Sequence, residues 1–141
     1  MSTAAENWTV HQKIEIPFQY TAGPAVTRFL EGLKDKLIVA SVCSKCGRRR
    51  VPPLSFCERC WKPITEFISV NGEGTLVSFT LPAGGDIVYG MIQLAGTDSS
   101  LVHYVMGDAV RLRIGCKVAP VWRSDRGGSI LDIEGFREIG N

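Results

Sequence analysis

Histidine is scarce in this chain: His11 and His103 are the two in 141 residues, and neither stands in a nucleophile–base motif. The sequence also has no Gly-rich phosphate loop, no acid pair placed for proton transfer, no internal repeat and no low-complexity tract. These absences argue against an enzyme that works alone. Neither sign of charge dominates, since the net charge is +2, so any grip on a polyanion must come from local clustering. Long apolar runs are missing too. "LIVASVC" (37–43) falls far short of the roughly 18–20 residues that a membrane helix needs. The opening "MSTAAENWTV" has no basic segment followed by an apolar one, so no signal peptide is expected, and we expect a cytoplasmic, reducing location.

What is present suits a folded domain. At 45% hydrophobic and 21% charged residues, the chain should bury a real core, either as one ordinary domain or as a small domain carrying a metal module. The module is "CSKCGRRRVPPLSFCERC" (43–60). Cys43-x2-Cys46 and Cys57-x2-Cys60 form two knuckles, each able to bring two thiolates onto one ion. Gly47 follows the first knuckle, where the turn calls for positive φ. Four thiolates leave no position for water or substrate, so the expected site is structural zinc, with rubredoxin-like iron as the alternative. Cys116, in "RLRIGCKV", reads as a buried inert thiol rather than a nucleophile.

The same stretch is basic. Lys45, Arg48, Arg49, Arg50, Arg59 and Lys62 face Glu58 alone, a local charge of +5, which a zinc–tetrathiolate centre reduces to about +3. Arginine forks suit the phosphates of coenzyme A or the acidic surface of a partner. Simple solvation, or support of the anionic metal site, competes with that reading.

Around the module, "KIEIPFQY" (13–20) alternates, with Ile14, Ile16, Phe18 and Tyr20 on one side, and Pro17 keeps it out of a central strand. It can instead lie extended across another surface. "GPAVTRFLEGLKDKL" predicts an amphipathic helix with Pro24 in its first turn, weakened by Gly32. Its apolar face covers its own core or, on the sharper reading, grips another chain through Val26, Phe29 and Leu33. Segments 64–70, 74–81, 87–96, 101–107 and 116–123 read as short strands, separated by turn signals such as "NGEG", "PAGGD" and "GTDSS", and 129–136 can pair back. The fold is therefore expected to be mainly β: arm and helix over 1–38, zinc ribbon over 39–63, and an OB-fold barrel over 64–141.

The order "RFLEGLKDKL", "CSKCGRRRVPPLSFCERC", "GEGTLVSFT", "LRIGCKVAPVW" resembles the zinc-ribbon plus OB-fold family associated with acyl-CoA metabolism, over nearly the whole chain from Tyr20 onward. The proline pair Pro52–Pro53, Trp61 and "GEGTLVSFT" carry most of that likeness. The resemblance implies a non-catalytic partner of a thiolase-fold large subunit in a hetero-oligomer, with a coenzyme A thioester as a shared ligand. "YTAGPAVTRFLEGL" is most similar to the small subunit of heteromeric thiolases such as benzoylsuccinyl-CoA thiolase. Many members have a longer loop where this chain has "PAGGD" (82–86). Two other classes stand beside this one: a single-stranded nucleic-acid binder, which the modest overall charge disfavours, and a free-standing acyl-CoA-binding protein.

Overall fold

A computed structural model of the chain describes residues 8–83 and 87–140. The first seven residues of the expected arm, and 84–86 of the "PAGGD" loop, lie outside the described residues. Residues 8–22 carry no helix or strand, and the helix α1 follows at Gly23–Lys34, with a proline in its first turn. Ala25, Phe29 and Leu33 recur every four residues and are buried, with Leu30 packed beside them. Phe29 and Leu33, offered above as grips on a partner, are thus at most 3% exposed within the chain's own core, and only Val26 of that trio is half-buried. The helix stops at Lys34, short of Leu37, because the chain turns sharply, with Lys36 at φ 60°. Gly32 permits that turn. A Cβ there would stand 2.9 Å from a Val39 methyl and 3.0 Å from the Leu37 carbonyl oxygen.

β1 (Ile38–Val42) pairs antiparallel with the short β2 (Arg49–Arg50) and with β3 (Glu66–Val70). The segment at 64–70, counted from sequence among the barrel strands, therefore supplies an edge of the ribbon sheet. Its register, Ile38 opposite Val70 through Val42 opposite Glu66, sets it beside the strand that leads into the first knuckle.

The barrel begins at Gly74. Its strands are β4 (Gly74–Thr80), β5 (Val88–Leu94), β6 (Ser100–Met106), β7 (Lys117–Trp122) and β8 (Ile133–Glu138), closed in the order β4-β5-β6-β8-β7. All neighbours are antiparallel except β6 and β8, as in an OB-fold. β5 alternates strictly between buried and exposed, the pattern of a strand with one wet face. Leu76, Ile92, Val118, Ile133 and Phe136 fill the barrel, and the same apolar cluster runs on through Phe29, Leu33, Ile38 and Val51. Ribbon, helix and barrel share one core.

Two polar joints fix the parts. The turn between β5 and β6 clasps β2: the Asp98 amide donates to the Arg49 carbonyl, the Arg49 amide to Asp98 Oδ2, and the Val51 amide to Ser99 Oγ, each at 2.8 Å. At the other end, Arg126 Nε donates to the carbonyl of Lys34 at 2.8 Å, capping the helix C-terminus. Buried Asp132 in turn accepts from the amides of Gly127, Gly128 and Ser129. Burial pushes this carboxyl upward, but those three amides, helped by Arg126, hold it below its usual value.

Candidate metal centre and its surroundings

The two knuckles are built alike. In the first, the Gly47 amide donates to the Cys43 carbonyl at 2.8 Å and the Cys43 amide to the Arg48 carbonyl at 2.9 Å. In the second, Trp61 donates to Cys57 at 2.9 Å and Cys57 to Lys62 at 2.9 Å. The residue after each second cysteine has positive φ, 71° at Gly47 as anticipated and 54° at Trp61. An indole side chain in the left-handed region is strained where glycine is not, and Trp61 is also 80% exposed. Its backbone setting could not be seen in a single sequence, although the alignment of the two knuckles pairs it with Gly47.

The four sulfurs of Cys43, Cys46, Cys57 and Cys60 lie within 4.8 Å of one another. Cys46 Sγ and Cys57 Sγ are 3.7 Å apart. A tetrahedral ion with Zn–S bonds of about 2.3 Å requires sulfur–sulfur edges of about 3.8 Å, so the donors fit such an ion with little movement. Two of the four thiols are pushed in opposite directions. Without an ion, the Cys46 amide draws Cys43 down to about 7, while the Cys46 thiol and burial push Cys60 up to about 12. A bound cation resolves the conflict by stabilising all four thiolates.

Of the basic residues, Arg48 and Arg50 converge on one carboxylate. Glu58 Oε1 accepts from Arg48 Nη1 at 2.8 Å and lies 3.2 Å from Arg50 Nη1. Its own backbone amide, then the two guanidinium groups, keep Glu58 below the usual carboxylate range. One acid between two arginines leaves a positive cluster beside the thiolates. Lys45, Arg49, Arg59 and Lys62 are exposed. The face anticipated from sequence exists as a surface, organised around Glu58.

Cys116 is half-buried and packed against the core. His103 is only 6% exposed; its Nε2 bonds the Ile130 carbonyl at 3.1 Å and its Nδ1 accepts from the Tyr104 amide at 2.8 Å. His11 is exposed in the arm. The structure does not assemble these residues into a catalytic set.

A further surface lies on the barrel, whose strands were expected to lack interleaved aromatic and basic residues. β4, β5 and β6, seven residues each, contain no Lys, Arg, Asp or Glu. Their outer wall exposes Tyr89, Met91 and Val102, with Tyr89 and Tyr104 rings 5.3 Å apart. These three strands supply no lysine or arginine for a phosphate backbone, which an OB-fold groove for single strands combines with stacking aromatics. The charge-free strands were legible in the sequence all along.

Residues 31–66 match the family model described as the ChsH2 rubredoxin-like zinc ribbon domain. The ribbon is similar to that of ChsH2. With the barrel joined to it, the chain has a zinc-ribbon and OB-fold architecture, and its fold is similar to those of two solved structures. A DUF35-family protein of unknown function from Sulfolobus solfataricus is 27% identical, with a TM-score of 0.66 over 82% of this chain and 84% of that one. The Ltp2–ChsH2(DUF35) aldolase matches at 21% identity and a TM-score of 0.59, covering 79% of this chain and 91% of the other; at that identity the likeness is one of fold. No curated protein sequence matches the chain.

Proposed function

We propose that this chain is the non-catalytic small subunit of a thiolase-like or aldolase-like acyl-CoA enzyme, needed for assembly and for handling the thioester. The observation that carries the reading is the common architecture with a ChsH2(DUF35) chain that belongs, with Ltp2, to an aldolase. The chemistry on the chain agrees. The metal site offers four thiolates, which leave no coordination position for a substrate, and both histidines are uncommitted to any nucleophile. The catalytic cysteine and base then belong to a thiolase-fold large subunit in a cytoplasmic hetero-oligomer. Within it, Lys45, Arg48, Arg49, Arg50 and Arg59 face either that subunit's acidic surface or the CoA phosphates. An aromatic acyl group, as in benzoylsuccinyl-CoA, is the substrate class that the sequence resemblance favours.

Co-expression with a thiolase-like reading frame adjacent to its own tests the reading. The two chains should co-elute, and acyl-CoA esters should be cleaved by the complex but not by this chain. Turnover by the isolated chain, or separate elution of the two proteins, would overturn it. Tight binding of single-stranded DNA by the isolated chain would also count against it.

A further inference from the structure

The arm that precedes α1 is amphipathic with a period of two. At even positions it carries Trp8, Val10, Ile14, Ile16, Phe18 and Tyr20, interrupted by Gln12 alone; at odd positions it carries Thr9, His11, Lys13, Glu15, Pro17 and Gln19. All six apolar side chains are 66–82% exposed, and no strand or helix is assigned to residues 8–22. Lys13 and Glu15 pair on the polar side, so the described strap has no net charge at neutral pH. Such a segment is built to lie on a neutral, apolar surface.

Its own chain is a poor candidate for that surface. Tyr20, at the root of the strap, lines a groove with Val26, Leu30, Pro52, Val102 and Ile130, which leads toward the charge-free wall. A strap with affinity for that wall would be tethered beside it at high effective concentration. Instead residues 8–18 stand clear of it.

Pro17 adds a direction. In an extended strand, the N–H and C=O of alternate residues point to opposite edges, so odd residues share one edge and even residues the other. Proline, lacking an N–H, fits only the edge that faces solvent. The even residues therefore both carry the apolar side chains and turn their backbone toward a receptor. Thirteen residues reach about 40 Å when extended. Six large apolar side chains bury on the order of 600–800 Å², close to one partner's share of a standard interface.

We infer that residues 8–20 form a strap that adds as an edge strand to an uncharged, apolar sheet edge of the enzyme subunit proposed above. The inference rests on that functional reading. Recognition is through main-chain bonds of even residues, with Ile14, Ile16, Phe18 and Tyr20 in alternate pockets. Unlike contacts of the arginine face, it is insensitive to salt.

The test uses the co-expressed pair and three variants of this chain: deletion of residues 1–20, Gln12→Pro and Gln19→Pro. The deletion should keep its metal content and melting temperature, yet bind the enzyme subunit on the order of a hundredfold more weakly at both low and high salt. Gln12→Pro removes an inward N–H without removing an apolar anchor, and should weaken binding strongly; Gln19→Pro, on the solvent edge, should not. Undiminished binding by the deletion variant overturns the strap while leaving the functional reading intact. Separate elution of the full-length chain and the enzyme subunit overturns both. Equal loss from the two prolines overturns the edge-strand geometry. Loss of self-association, rather than of the enzyme complex, assigns the strap to a second copy and also overturns the proposal.

Discussion

Cys46 and Cys57 come from different knuckles, and their sulfurs lie at the spacing of one tetrahedral edge. Because the ligand set closes only when both knuckles are in place, metal affinity and ribbon folding are one free energy. Cys57→Ser is expected to lower metal content from about one equivalent and to unfold the ribbon, read by elemental analysis and by the melting curve. A variant that stays folded without metal would count against a structural ion. Protons compete with the ion for the thiolates, so loading weakens as pH falls. Asp132 supplies a second pH dependence. Its folded pKa lies below the ordinary value of 3.8, so its contribution is complete above that value and fades as pH falls through the lower, folded one. Urea unfolding should show Asp132→Asn destabilised at pH 7, with the difference from the parent shrinking under strong acid. An equal difference at both ends would remove the carboxylate from the account.

At the scale of elements, α1 belongs to the core. Phe29→Ala should destabilise the isolated chain by about 3–5 kcal/mol, the usual cost of truncating a buried aromatic. A helix that existed only to grip a partner would leave the isolated chain's unfolding midpoint unchanged. The second knuckle carries a different tension. Trp61 holds a left-handed backbone while exposing its ring, a combination that folding does not reward. Trp61→Gly should raise ribbon stability by about 1 kcal/mol, as strain at a left-handed residue is relieved. Denaturation of the metal-loaded protein reads that gain. If the indole is a contact, the same variant binds the enzyme subunit less well; a stabilised variant with full binding would leave the strain without a use.

The whole molecule is arranged so that unlike surfaces point outward from one core. The arginine face sits over the metal ribbon and is held by the Asp98–Ser99 turn of the barrel, while the charge-free wall and the strap are neutral. Salt should separate them. Replacing Arg48 and Arg50 together by alanine is expected to weaken the enzyme complex at low ionic strength, and the difference should vanish near 1 M salt, where screening acts within about 3 Å. Titration of the complex by chromatography or calorimetry at two salt concentrations makes the comparison. Unchanged assembly at low salt would reduce these arginines to a solvated surface around Glu58 and the thiolates.

The metal ligands, the helix, most barrel strands and the amphipathic strap were legible in the chain alone, because each is written in local spacing: two-residue gaps, a fourfold apolar repeat, twofold alternation. The charge-free wall was written there as well, in strands without a lysine, arginine, aspartate or glutamate. Tertiary structure decided what spacing cannot encode. The segment at 66–70 could have paired with the barrel by pattern, and joins β1 because that register places it beside the ribbon's first strand. Phe29 and Leu33 read by pattern as a core face first and as a grip second, and the shared cluster with Ile38 and Phe136 made them core. Glu58 became the centre of the basic face only when folding set two arginines, eight and ten residues upstream, on the same carboxylate. Pairing of strands distant in the chain, and of charges across a turn, depends on which surfaces meet, and a one-dimensional pattern carries no record of that meeting.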